Sequence, residues 1–169
     1  MGNIGRDDND VDFSKLKQLT KKILDSTSAL ERSEAMFRAS YEKSVTPIAL
    51  LEQDGKIISC NQAFTKMTGY GSEDIKGDSI LQFIIDAPTI DATHYLVREI
   101  LQGYRDHYHV EKKIKTKDGG YKYARISVSC AFDGRNQIIF VIGVFEDITE
   151  ITELKNRIKE LEGQLAKKE

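Results

Sequence analysis

The sequence predicts an α+β fold: a five-stranded antiparallel sheet with helices packed on one face, flanked by an N-terminal helix and a C-terminal coiled-coil helix. Three observations predict it. Two short apolar runs precede a helical stretch, and three longer runs of strand character follow it. Glycine-bearing turns such as "QDG" and "KDGG" separate the runs, which is a hairpin signal. Both ends of the chain carry charged stretches with apolar residues only at helical spacing.

The elements follow in order. Residues 1–11 (MGNIGRDDNDV) are polar and rich in Gly, Asp and Asn, and are expected to form a disordered tail. Residues 12–40 contain no Pro or Gly. Within them Leu16, Ile23, Leu30 and Phe37 recur every seventh position and Leu19 lies between, giving a helix with a thin apolar stripe. Residues 41–148 form the globular part. There "TPIALLEQDGKIISCN" reads as a hairpin of Ile48–Leu51 and Lys56–Cys60, and Asn61 stands at an N-cap ahead of Ala63, Phe64 and Met67. The glycines of "GYGSEDIKGDSI" leave room for single helical turns, with Ser72 as an N-cap. "TIDATHYLVREILQG" places Ile90, His94, Val97 and Leu101 on one helical face and ends at Gly103. Strands follow at Tyr108–Thr116, Tyr121–Cys130 and Ile138–Phe145. The second turns Ala124, Ile126, Val128 and Cys130 one way, and the third is apolar on both faces, as a strand covered on both sides would be. Residues 149–169 form the final helix. Asp147 and Glu150 stand in a D-x-x-E capping relation, and Ile151, Leu154, Ile158, Leu161 and Leu165 repeat at alternating spacings of three and four, a coiled-coil seam.

Composition removes several function classes. With 25 basic and 27 acidic residues the net charge is -2, which argues against bulk attraction to nucleic acid or anionic lipid. No apolar run approaches the roughly 18 residues of a membrane span, and no signal peptide opens the chain. Cys60 and Cys130 form no CxxC pair and read as small buried hydrophobes in a reducing compartment. A cytoplasmic protein is expected, and the ending in mid-heptad ("LAKKE") reads as a cut through a longer one. No nucleophile elbow, phosphate loop or paired carboxylates emerge, so the chain reads as a non-enzyme.

Four segments together resemble a PAS domain: "GKIISCNQAFTKMTGY" (Gly55–Tyr70), "IKG" (Ile75–Gly77), "KTKDGGYKYARISVS" (Lys115–Ser129) and "EDITE" (Glu146–Glu150). The resemblance covers about Phe37 to Glu150. It implies a cupped sheet enclosing a small interior used for ligand sensing, dimerisation through flanking helices, and output to a C-terminal effector outside this chain. Family habit offers a sensor histidine kinase, a cyclic-dinucleotide enzyme or a transcription regulator.

Candidate sites follow from residues and resemblance together. The interior set is His94, Ile126, Val128, Leu81 and Phe83, with Ala124 and Cys130; it would line a small-molecule pocket or simply fill a core, leaving a ligand-free dimerisation spacer. In haem-binding PAS sensors an iron-ligating His sits near the place of His94, but Val110 stands where some carry a distal Arg, and a lone His on a half-buried helix is more often structural. Flavin–cysteinyl photochemistry is disfavoured, since Ile80 occupies the position of the reactive Cys. His107 and His109 lack a third ligand, so no metal is assigned. Asp147, Ile148, Thr149 and Glu150 form the expected signal-transfer joint. Leu16, Ile23 and Leu30 with Ile151, Leu154, Ile158 and Leu161 form the expected homodimer surfaces.

Overall fold

The computed structural model describes residues 13–85, 98–100, 102 and 104–165. The expected tail and most of the helix expected between Thr89 and Gly103, His94 included, lie outside them; within that helix Arg98–Ile100 are helical and Ile100 is buried. The chain divides into two compact units between Ser40 and Tyr41.

Helix α1 spans Phe13–Lys43. Its body lacks any helix breaker, and its Leu16, Ile23, Leu30 and Phe37 are exposed. Pro47 ends the helical tendency by forcing Thr46 toward extended backbone, and Ser44 Oγ accepts from Thr46 N–H at 3.1 Å. Strands β1 (Ile48–Leu51) and β2 (Ile57–Cys60) pair antiparallel. Their turn needs glycine, because Gly55 has φ 85°. Helix α2 (Gln62–Thr68) is capped by Asn61, as expected, and closes on Gly69 at φ 80°. Helix α3 is the single turn Ser72–Ile75. Its cap position is Gly71, not Ser72, because the Ser72 hydroxyl is already engaged by Cys60 N–H at 3.0 Å.

A 3₁₀ turn (Ile80–Phe83) leads into β3 (Ile84–Ile85), then β4 (His107–Lys115), β5 (Tyr121–Phe132), β6 (Ile138–Asp147) and α4 (Thr149–Leu165). The sheet therefore has six strands rather than five, in the order β2-β1-β6-β5-β4-β3. The extra strand is two residues long, Ile84 pairing with Ile114 and Ile85 with Lys113 along the β4 edge. It is illegible in the sequence because two residues carry no period. Strand β6 is central, but only Val141, Gly143, Phe145 and its continuation Ile148 are buried. Ile139 is 58% exposed and Ile142 and Val144 are half-buried, so the expectation of cover on both faces does not hold among the described residues.

One apolar cluster holds the second unit together, built from Ala49, Leu51, Ile57, Phe64, Ile114, Ile126, Phe145 and their neighbours. Phe64 and Phe145 meet edge to face at 5.0 Å, as do Tyr70 and Phe83.

Candidate functional site

Paired residues of an antiparallel sheet project to the same face, so register defines the interior. Tyr108 pairs with Val128 and Val110 with Ile126; β6 continues these rows with Gly143 and Phe145. Ile126, Val128 and Phe83 are buried in the cluster, with Leu81 and Cys130 packed against it. Six of the expected interior residues, Ala124 among them, thus meet in this cluster, while His94 lies outside the described residues. Ile80 is buried and aliphatic, and Val110 packs against the same cluster.

Two interior groups escape the sequence reading. Tyr108 is buried, and desolvation, helped by the nearby Cys130, pushes its phenol up to about 12. Lys112 shares a row with Ala124 and is half-buried. The alternation Tyr108, Val110, Lys112, Ile114 is the signal that would find both. Burial also pushes the Cys130 thiol up, so it is held as a neutral thiol rather than a nucleophile.

A glycine decides how one end of the interior is filled. Gly143 faces inward between Ala49 and Val128. A Cβ there would lie 3.1 Å from Phe145 Cε2, so the Phe145 ring occupies the space the missing side chain leaves.

The output end is built from strand termini. Lys122 Nζ donates to Asp147 Oδ2 at 2.7 Å, and Thr149 N–H donates to Asp147 Oδ1 at 3.0 Å. Tyr123 N–H donates to Thr149 Oγ1 at 3.0 Å, and Ile148 N–H donates to Tyr123 O at 2.8 Å. Thr152 N–H closes the first helical bond on Ile148 O at 2.9 Å. Ile148 is therefore the cap residue of α4, buried at 3% exposure, and Asp147 stands one step earlier than in a capping box. Its carboxylate still satisfies a first-turn N–H. Burial works to raise the Asp147 carboxyl. The bonds from Lys122 and Thr149 outweigh this and hold it below the usual carboxylate range. Lys122 and Tyr123 are partners of this joint that the sequence reading does not include.

Beyond the joint, Ile151, Leu154, Ile158 and Leu161 are all exposed along α4. An open cleft of about 520 Å³ beside Gly69 carries Lys66, Lys117 and Lys122. Lys117 is paired with Asp74 and Lys122 with Asp147, so the cleft is not a concentrated positive site. Among the described residues, no helix is long and apolar enough to cross a membrane.

The PAS domain family model matches residues 45–150. The sensor histidine kinase TmoS of Ectopseudomonas mendocina is 28% identical over 144 residues, covering 85% of this chain and 15% of that protein. The probable diguanylate cyclase DgcE of Escherichia coli (strain K12) is 25% identical over 122 residues, covering 72% of this chain and 11% of that protein. The chain thus spans a small fraction of either relative's length. The crystal structure of the PAS domain of a protein from Colwellia psychrerythraea superposes with a TM-score of 0.60 at 17% identity, over 69% of this chain and 97% of that one.

Proposed function

Because this chain belongs to the PAS domain family, we propose that it is a sensory module of a larger cytoplasmic signalling protein, such as a sensor histidine kinase. It binds a small ligand in the domain interior and passes the change to a C-terminal effector outside this chain. The carrying observation is the joint. Central strand β6 runs into α4 with Ile148 alone between them, and Asp147, Ile148 and Thr149 are all bonded to Lys122 or Tyr123 of β5. A change in the spacing of β5 and β6 therefore reaches the first turn of α4 directly. Glu150 begins the exposed part of the helix.

The output helix is read as half of a parallel two-stranded coiled coil with a second copy of this chain. Ile151, Ile158 and Leu165 take the a positions, with Leu154 and Leu161 at d. Isoleucine at a with leucine at d favours two parallel strands. In that register Glu150 faces Lys155 and Arg157 faces Glu162 of the second copy, both attractive pairs. The exposed stripe Leu16, Ile23 and Leu30 of α1 is read as a second contact of the same dimer.

A ligand-free spacer is the second reading, favoured by the Phe145 ring over Gly143 and its packing on Phe64. Native mass and an absorption spectrum of the protein from its own host separate the two. The sensor reading expects an extra few hundred daltons of bound ligand, on the scale of a drug-sized occupant. A Soret band lost in His94→Ala would identify haem, and a mass equal to that of the bare chain under native conditions supports the spacer.

A further inference from the structure

Asn61 is fully buried and uses its whole hydrogen-bonding capacity. Its Nδ2 donates to Tyr41 O at 3.0 Å and to Thr46 O at 2.9 Å. Its Oδ1 accepts from Ile48 N–H and from Phe64 N–H, each at 3.0 Å. Capping α2 requires only the last of these bonds. The other three tie the final turn of α1 to the first residue of β1. Tyr41 Oη and Ser59 Oγ, 3.0 Å apart, add a second tie at the same corner, where burial pushes the Tyr41 phenol up to about 12.

From this corner two routes lead to one residue. Pro47, between the Thr46 and Ile48 groups that Asn61 holds, accepts from Phe145 N–H at 2.9 Å. Phe64, whose N–H Asn61 caps, packs its ring edge to face on Phe145 at 5.0 Å. Phe145 lies two residues before Asp147 and three before the buried cap Ile148. We propose that Asn61 is a relay residue: it couples the last turn of α1 to the first turn of α4 through β1 and Phe145, so that displacement of the N-terminal helix reaches the output joint without a ligand. The path is short and in contact at each step, with Asn61, Phe64 and Phe145 buried along it, which is the condition for a displacement to be transmitted rather than absorbed. The domain then passes on a signal arriving from upstream as well as one arising inside it, and this holds whether or not the interior takes a ligand.

Amide hydrogen exchange on the full chain tests this. Asn61→Ser keeps a capping oxygen for Phe64 N–H but removes both donors to Tyr41 and Thr46. Asn61→Asp keeps acceptor oxygens for Ile48 N–H and Phe64 N–H and removes the same two donors, and the reciprocal Asp147→Ala measurement decides the matter if neither Asn61 variant folds. The expected result is exchange at residues 149–153 faster by roughly threefold or more, with the amides of residues 110–114, across β5, unchanged. Because coupling is reciprocal, Asp147→Ala should likewise speed exchange at residues 41–48. A rise confined to residues 41–48 and 61–64 in the corner variants overturns the proposal. So does an equal rise throughout the second unit, which reports only lost stability.

Discussion

Two side chains show how much a single polar group decides. Asn61 satisfies four backbone groups at a buried corner, so Asn61→Ala removes a cap and strands several partners at once. Loss of a cap costs about 1 kcal/mol, and each stranded buried group costs about 1–3 kcal/mol more. We expect Asn61→Ala to lower unfolding free energy by about 3 kcal/mol or more in urea titrations, and Ser72→Ala, which loses one bond to Cys60 N–H, by about 1 kcal/mol. Equal costs would mean that the four bonds do not act together. Asp147 carries the pH dependence. Its carboxyl is held below the usual range in the folded state, so its contribution is complete above about pH 4 and is lost as pH falls through the lower folded value. Protection of the first turn of α4 should stay level from pH 7 to about 5 and collapse in stronger acid. Asp147→Asn should remove the part of that fall that belongs to the joint, and a wild-type profile already sloping near neutrality would count against the assignment.

Strand β6 and helix α4 are one mechanical element with two different surfaces. On the strand, Gly143→Val would drive a branched side chain into the Phe145 ring, 3.1 Å from its Cβ. Overpacking of this kind costs about 1–3 kcal/mol, and a shift in the urea midpoint without a change in slope would register it. On the helix the seam is too short to hold alone, because two or three heptads are marginal without a partner. Leu154→Glu with Leu161→Glu should therefore convert the proposed dimer to monomer in sedimentation at tens of micromolar, a range in which marginal pairs still associate. Arg157→Glu should weaken association and Glu162→Arg in the same chain should restore it, since the pair faces across a parallel dimer. Restoration failing in the double variant would point to a different register.

For the whole molecule the question is whether movement inside the domain reaches an effector. In a fusion to an effector driven by helix geometry, Asp147→Ala should leave the domain folded and uncouple output from signal. Lys155→Ala, on the exposed flank of α4, should change output little. The contrast is physical: Asp147 bonds both Lys122 of β5 and Thr149 of α4, whereas Lys155 lies past the joint, and its pairing with Glu150 of a second copy is an exposed ion pair worth at most about 1 kcal/mol. Regulation surviving Asp147→Ala would move the joint elsewhere, with the Asn61 corner the first place to look.

The parts of this protein that depend on neighbours in sequence are legible from residue spacing alone. Alternation gives the inward row of β5, Asp54–Gly55 and Asp118–Gly119 give the hairpin turns, and heptad spacing gives the stripe of α4. Asn61 is legible as a cap for the same reason, its acceptor lying three residues from the N–H it serves. Tertiary structure alone decided the rest. Strand order placed β6 between β1 and β5, and thereby brought Lys122 to Asp147 across 25 residues; the pairing of β1 with β2 brought Tyr41 to Asn61 across 20. Tertiary structure also took Ser72 from its expected cap to Cys60, and left the outer side of β6 partly open. Local spacing encodes which face a side chain presents, because backbone geometry repeats every two or 3.6 residues. It carries no record of which distant segment will meet that face, and both the joint and the corner are meetings of distant segments.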